Sequence, residues 1–225
     1  MRQRDIKTTK QEWAFNSPMI TPLNHYKEHD RVITRFSDAQ RLIDEIKEYA
    51  NSRNLSVYWR GQVDYRWGLH SSLARQLSSV TMLNDALIDK VENAILKEAA
   101  KWIDDFKYKP YRQPLARLAY LQHHGIPTRL IDFTHNPAVA LFFATESLDE
   151  VDGRIFALLV RNKEVLKKTP RGTPWRDYGS NEVKIWDPVA TAIIFSRLEA
   201  QEGVFAIGRL PSTRPYRTGW DELLE

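Results

Sequence analysis

Short apolar runs bounded by glycine, proline or polar residues recur along the chain and predict β-strands. The clearest of these runs are VYWRGQ at 57–62, TRLIDF at 128–133, GRIFALLV at 153–160 and GVFAIG at 203–208. RVITRF at 31–36 and VKIWDP at 183–188 have the same character over fewer residues. The chain therefore contains enough strands for a sheet.

Apolar residues spaced by three and four positions predict helices between these runs. SDAQRLIDEIKEYA at 37–50 is one, with Ser37 as N-cap and Gln40 completing a capping box. Residues 80–109 lack glycine and proline and carry apolar residues at helical spacing, which predicts one long amphipathic helix. A third helix is expected at 114–123, ended by Gly125.

A fourth helix follows Asn136, an N-cap residue type, with Pro137 at the first helical position. We expect this helix to turn Ala138, Leu141, Phe142 and Ala144 inward. The run at 190–203 fits either a strand or a helix, and favours helix toward its end. WGLHSSLAR at 67–75 has no clear period and is expected to be irregular.

Strands and helices are both present but do not alternate as repeated βαβ units. This order predicts an α+β fold with a mostly antiparallel sheet and a helical insertion. Residues 1–30 mix proline, asparagine, lysine and isolated aromatics, which indicates an irregular N-terminal arm. Residues 31–225 are expected to form a single domain, with a basic Pro/Gly-containing loop at 161–182.

Composition narrows the class of protein. The 225 residues are 42% hydrophobic and 28% charged, which is typical of a soluble globular chain. The absence of cysteine excludes disulfides and thiolate nucleophiles. The net charge of +4 permits contact with phosphates but does not require it. Without a spanning apolar run or a secretory leader, we expect a cytoplasmic protein that does not enter membranes.

Several common catalytic motifs are missing from the sequence. GxGxxG after a strand, GxxxxGK[ST], GxSxG and HExxH do not occur. The nearest candidates for metal ligands are His123, His124, Asp132 and His135. Their spacing does not bring three of these side chains together around one ion, so we expect no metal site.

Three polar stretches carry the remaining signal. In YWRGQ, Arg60 ends an apolar strand and Gly61 allows a close approach, so the guanidinium can bind a phosphate or a carboxylate. QHHGIPTRLIDFTHNP at 122–137 places many ionisable residues in one short connection. RLEAQEGVF places Gln201 and Glu202 just before a strand. A purely structural role is the alternative for each stretch, for example an ion pair between Arg60 and Asp132.

Together these stretches resemble the FRG domain family, named for an aromatic–Arg–Gly motif that is Trp59–Arg60–Gly61 here. The order of the stretches is also similar to that of ADP-ribosyltransferases, which implies their split sheet and NAD as substrate. The resemblance implies that NAD contacts fall to Arg60, Gly61, Gln62, Thr128, Arg129 and Thr134. It implies catalytic roles for Gln201 or Glu202, with Asp132 and His123. Gln201 stands where such transferases carry glutamate.

Three functions follow as alternatives. The first is a bacterial or phage toxin or antiphage defence factor that uses NAD, by ADP-ribosyl transfer or glycohydrolysis. Its acceptor would be a protein or nucleic acid, and its partner an antitoxin or phage protein. It predicts that one cleft is lined by Arg60, His123, Asp132 and Gln201.

The second alternative is a non-enzymatic module for nucleic acid or a phosphorylated ligand. It predicts that Arg60 and Arg129 lie on an open basic surface continuous with KKTPRGTPWR at 167–176, where Trp175 and Tyr178 stack on bases. The third is a metal-independent hydrolase or nuclease. It predicts His123 as the base and Asp132 as the group that orients it.

Overall fold

The computed structural model describes residues 31–146, 150–179, 182–188 and 199–210. Within these ranges the chain forms five α-helices and six β-strands. The helices are α1 (Phe36–Ser52), α2 (Ser72–Ser78), α3 (Asp85–Trp102), α4 (Pro114–His123) and α5 (Pro137–Thr145). The strands are β1 (Leu55–Gln62), β2 (Ile131–Thr134), β3 (Arg154–Arg161), β4 (Val165–Leu166), β5 (Val183–Trp186) and β6 (Gly203–Gly208).

The six strands form one sheet in the order β3-β1-β2-β6-β5-β4. All neighbours are antiparallel except β4 and β5, which confirms the predicted α+β class with a mostly antiparallel sheet. β1 pairs with β3 along its whole length, from Leu55 opposite Arg161 to Gln62 opposite Arg154. By contrast, β1 and β2 share the single pair Trp59–Thr134. The sheet therefore diverges between β1 and β2.

Helix α5 packs directly against β1 and β3. A Cβ atom at Gly61 would lie 1.8 Å from the carbonyl oxygen of Ala140, and one at Gly153 would lie 1.9 Å from that of Ala144. Only glycine fits at such distances. As expected, the helix begins at Pro137, with the Asn136 side chain accepting from the amide of Ala138.

Two apolar clusters hold helices on the same sheet. Trp59 of β1 is 2% exposed and packs with Ile43 and Ile46 of α1 and with Ala140 of α5. Helix α4 packs against β5 and β6. Its cluster contains Leu115, Ala116, Leu118, Ala119, Leu130, Trp175, Trp186, Phe205 and Ile207. Each cluster buries large apolar side chains, which is the dominant favourable contribution to folding. Helices α4 and α5 thus stand on either side of the divergence between β1 and β2.

The structure corrects several element predictions. Residues 31–34 form no strand, and α1 begins at Phe36 without a side-chain cap, so the predicted capping box of Ser37 is absent. α3 begins only after Asn84, whose side chain accepts from the amide of Leu87. It ends at Trp102, where Ile103 becomes extended, and two 3-10 turns follow at Asp104–Lys107 and Lys109–Arg112.

Other corrections concern the neighbourhood of α5 and α2. Ala138 and Phe142 face outward, contrary to the prediction, whereas Ala144 is buried as predicted and Ala140 is buried as well. The segment expected to be irregular contains α2, because the Ser71 hydroxyl accepts from the amide of Ala74 and starts a helix. The predicted N-terminal arm at 1–30, most of the run at 190–203 and the tail after Leu210 lie outside the described residues. The part of the chain that is described contains no helix of the length and apolarity that a bilayer span requires.

We expect Gly61→Ala to lower the free energy of unfolding by about 3 kcal/mol or more, because its Cβ would overlap the backbone of α5. Urea denaturation of the purified variant measures the loss. Gly179→Ala is the matched control, since its Cβ would meet nothing closer than 3.8 Å in the part of the chain that the structure describes. The control should stay within about 1 kcal/mol of the wild type. Equal stabilities of the two variants would contradict the close packing of α5 on β1.

Candidate functional site

A cavity of about 300 Å³ lies between α4 and α5, above the point where β1 and β2 diverge. Its polar lining residues are Arg60, Gln122, His123, Asp132, Thr134 and Gln201. Its remaining lining residues are Trp59, Gly61, Ala119, Phe133, Val139, Ala140, Phe143, Gly203 and Phe205. Aromatic walls with a few convergent polar groups are typical of small-molecule sites.

Arg60 is the main positive group of this cavity. Its side chain is 17% exposed, and its Nη1 donates to the backbone carbonyl of Asp132 at 2.7 Å. The same Nη1 lies 3.7 Å from Oδ2 of Asp132. Its Nε is buried and has no hydrogen-bond partner among the described residues. Burial lowers the pKa of the guanidinium, and the charge of Asp132 opposes that change. Arginine side chains stay charged in proteins, so Arg60 is a cation beside the Asp132 carboxylate.

Asp132 supplies the negative group. Its side chain is 57% exposed, and Oδ1 accepts from Nε2 of Gln122 at 2.7 Å. The side-chain amide oxygen Oε1 of Gln122 in turn accepts from the hydroxyl of Thr128. Thr128 is fully buried and does not line the cavity. The predicted hydroxyl candidate therefore contacts a cavity residue instead of the space where a ligand would lie.

The side chains of Gln201 and Glu202, the late polar residues, point in different directions. Gln201 lines the cavity, and its backbone carbonyl accepts from the Thr134 hydroxyl at 2.6 Å. Glu202 has a positive φ of 47° and accepts from the side-chain amide of Asn136 at 2.8 Å. Glu202 does not line the cavity. Of the two candidates for the late catalytic position, the one that faces the cavity is an amide.

Arg129 belongs to a different part of the molecule. It is 6% exposed, and its Nε donates to buried Glu92 at 2.7 Å while Nη2 donates to Asp89. The ring of Trp175 lies 5.2 Å from its guanidinium carbon. Arg129 thus ties β2 to α3, and the open basic surface predicted by the binding-module alternative is not formed there. Gln62 is likewise buried and outside the cavity lining.

Several residues near the cavity were not predicted from the sequence. Arg75, on the unpredicted helix α2, donates to the backbone carbonyl of His70 at 2.7 Å. Burial lowers the pKa of Arg75, Arg60 lowers it further and Asp132 opposes this, so the three charges are electrostatically linked. The one available signal was Ser71, a good N-cap residue ahead of SLARQL. Trp59, the aromatic residue of the aromatic–Arg–Gly motif, forms an apolar wall together with Phe143 and Phe205, and none of the three was assigned a site role from the sequence.

His123 lines the cavity at the end of α4, whereas His124 packs beside Tyr120 with ring centroids 4.5 Å apart. Within the described ranges, no group of three histidine, aspartate or glutamate side chains is arranged to hold a metal ion. Four residues expected in one cleft are therefore brought together: Arg60, His123, Asp132 and Gln201. Gly61 and Thr134 accompany them, while Gln62, Thr128, Arg129 and Glu202 do not.

Residues 55–153 match the family model described as FRG domain. The chain contains an FRG domain. No curated protein and no solved structure matches the chain. The matched part of the FRG domain contributes β1, α4, β2 and α5 to the cavity. Gln201, Gly203 and Phe205 come from beyond it and complete the lining, so the cavity depends on residues outside the matched segment as well.

We expect Arg129→Met to destabilise the FRG domain by about 3–5 kcal/mol, because Glu92 would stay buried without its partner. Burial raises the pKa of Glu92 and Arg129 opposes it, so the variant's Glu92 takes up protons more readily in the fold. The deficit should then be smaller at pH 5 than at pH 8. Urea denaturation at both pH values measures it, with exposed Arg41→Met as a control expected to change little. An equally small loss in both variants would contradict the assignment.

His70 provides a second pH-dependent prediction. Burial, and then the charge of Arg75, lowers its pKa to about 4 from 6.5. The folded state therefore excludes a proton that the unfolded state binds below pH 6.5. Stability from this residue is complete above pH 6.5 and falls as the pH drops toward 4, by at most about 3 kcal/mol in all. His70→Gln should show a shallower loss between pH 7 and pH 4.5 by thermal denaturation. Parallel curves for both proteins would refute this.

Proposed function

We propose that the cavity binds an NAD-like dinucleotide and cleaves its bond between nicotinamide and ribose. The observation that carries the proposal is the pairing of Arg60 and Asp132 inside an aromatic-walled cavity. A guanidinium that lines the cavity is a suitable partner for an anionic ligand. A carboxylate beside it can stabilise positive charge that develops on a sugar.

Arg60 is the proposed phosphate anchor. Its Nη1 is held by the carbonyl of Asp132, which fixes the direction of the guanidinium plane. Donors fixed before binding lose less entropy when a ligand arrives. Gly61 belongs to the same strand, but its lack of a side chain serves the approach of α5. The contacts to the ligand at this end of the cavity are therefore assigned to Arg60.

Asp132 takes the catalytic position in the proposal. Asp132 is the only carboxylate among the lining residues that the structure describes. Gln201, which stands where such transferases carry glutamate, has an amide side chain. The bond between ribose C1′ and the nicotinamide nitrogen breaks, and its electron pair leaves with nicotinamide. Asp132 stabilises the oxocarbenium-like ribose that results. Water or an acceptor side chain then bonds to C1′, and its proton passes to His123 or solvent.

The size of the cavity indicates which part of the dinucleotide it holds. About 300 Å³ is at the lower end of the range of about 300–1,000 Å³ for small-molecule pockets. We assign the cavity to the nicotinamide and its ribose, with Trp59, Phe143 and Phe205 as apolar walls for the ring. The rest of the dinucleotide would extend outward past Arg60.

The proposed setting is a toxin or antiphage defence factor of a bacterium or phage, acting in the cytoplasm. An enzyme that consumes NAD or modifies a macromolecule with it arrests its host, so a partner that restrains it is expected. The acceptor would be a protein or nucleic acid if the reaction is transfer, and water if it is glycohydrolysis.

A second candidate function is a non-catalytic pocket for a phosphorylated ligand. The amide of Gln201 at the position where a transferase carries glutamate favours it. A module that binds nucleic acid through Arg129 is not favoured, because Glu92 and Asp89 neutralise this arginine within the core of the domain. A hydrolase that uses His123 and Asp132 would act in the same cavity on a different bond.

The test is nicotinamide release from NAD by the purified protein, with and without cell lysate as acceptor. We expect release that falls about 10²-fold or more in Asp132→Asn and in Arg60→Ala, since each removes a charge that acts on the reacting ligand. Exposed Asp44→Asn and Arg41→Ala are matched controls on α1 and should retain full activity.

No release by the folded wild type under both conditions would overturn the NAD proposal. Calorimetric binding of nucleotides that is lost in Arg60→Ala would then support the phosphorylated-ligand pocket. Release that persists in both cavity variants would exclude this cavity as the site.

A further inference from the structure

We propose that Gln122 positions Asp132 and that the buried hydroxyl of Thr128 anchors the Gln122 amide through its oxygen. The catalytic consequence of this arrangement rests on the function proposed above, whereas the arrangement itself can be tested without activity. Both residues would act through Asp132 and neither through direct contact with the reacting atoms, so they are positioning residues.

The chain of hydrogen bonds has a single direction. The Thr128 hydroxyl accepts from the amide of Leu130 at 3.1 Å and gives its own proton to Oε1 of Gln122. Nε2 of Gln122 then donates to Oδ1 of Asp132 at 2.7 Å. A hydroxyl has only one proton to donate, and here it goes to the amide oxygen.

This direction matters because a side-chain amide has two different ends. If the Gln122 amide turned over, Oε1 would face the Asp132 carboxylate and Nε2 would face the Thr128 hydroxyl. Two acceptors would then oppose each other at the rim of the cavity, which costs the hydrogen bond and adds repulsion. The carboxylate of Asp132, which can only accept, therefore selects this orientation of the Gln122 amide. The Thr128 hydroxyl donates to Oε1 and anchors the amide in that orientation.

Thr128 is itself rigidly placed. It is fully buried, its amide donates to the hydroxyl of Ser72 at 3.1 Å, and its carbonyl accepts from the amide of Leu73 at 3.0 Å. The N-terminus of α2 thus fixes Thr128, which lies between α4 and β2. A side chain that is 57% exposed, such as Asp132, gains a defined direction from this buried support.

The two carboxylate oxygens of Asp132 therefore have different roles. Gln122 holds Oδ1, and Arg60 holds the backbone carbonyl of the same residue at 2.7 Å. Oδ2 lies 3.7 Å from Arg60, beyond hydrogen-bond distance. We assign Oδ2 as the oxygen that faces the ribose of the ligand. Removing either support lets the carboxylate rotate away from that position.

The test uses Gln122→Met, Thr128→Val, their double variant and Thr128→Ser. Gln122→Met and Thr128→Val should each lower kcat about 10- to 100-fold with KM within about twofold, since a misplaced catalytic group costs rate. Thr128→Ser keeps the hydroxyl and should retain activity within about threefold. The double variant should be no slower than Gln122→Met alone, because Thr128 acts through Gln122. Multiplying losses in the double variant, or an unchanged kcat in Gln122→Met, would overturn the proposal.

A second readout needs no activity. The side-chain amide signals of Gln122, assigned in the NMR spectrum by their absence in Gln122→Met, should show one proton protected from exchange. The protection should persist in Thr128→Ser and disappear in Thr128→Val. Protection that survives in Thr128→Val would overturn the proposal even if the enzyme is active. Protection that follows the predicted pattern in a protein that releases no nicotinamide would support the positioning of Asp132 while the NAD proposal fails.

Discussion

The contact between α5 and β1 is the constraint on which the site depends. Gly61 and Gly153 bring the helix backbone against the strand backbone, at a distance that excludes every side chain. This approach places Val139, Ala140 and Phe143 as one wall of the cavity, directly opposite α4. Arg60, which precedes Gly61 on β1, lines the same cavity. The aromatic–Arg–Gly motif therefore combines one residue for packing, Gly61, with one for charge, Arg60.

Arg60 and Arg129 were both predicted to contact a ligand, but their electrostatic surroundings differ. Arg129 meets Glu92 and Asp89, so its charge is matched within the fold. Arg60 meets one carboxylate at 3.7 Å and keeps a buried Nε without a partner in the described structure. An unpartnered buried donor is unfavourable by itself. Arg60 also lines the cavity, whereas Arg129 does not, and this difference directs the functional argument to Arg60.

Local chemistry allowed much of the fold to be predicted. The cap at Asn136, the helix end at Gly125 with φ of 81°, and the strands at 57–62, 153–160 and 203–208 follow from residue types and spacing. The misses have tertiary causes. The partners of Arg129 lie on α3, about 40 residues away in sequence, and no periodicity shows them. The outward turn of Glu202 depends on its positive φ, which its residue type does not favour.

The seam between β1 and β2 has a consequence for how such a domain can change over evolutionary time. Because one residue pair, Trp59 with Thr134, joins the two parts of the sheet there, few backbone hydrogen bonds fix the width of the opening. The space above it is shaped mainly by side chains from α4, α5 and β6. Substitutions among these side chains can reshape the cavity while the strand ladders stay intact. Arg60 and Asp132 lie on the strands themselves, so both charges would stay in place while the lining around them changes.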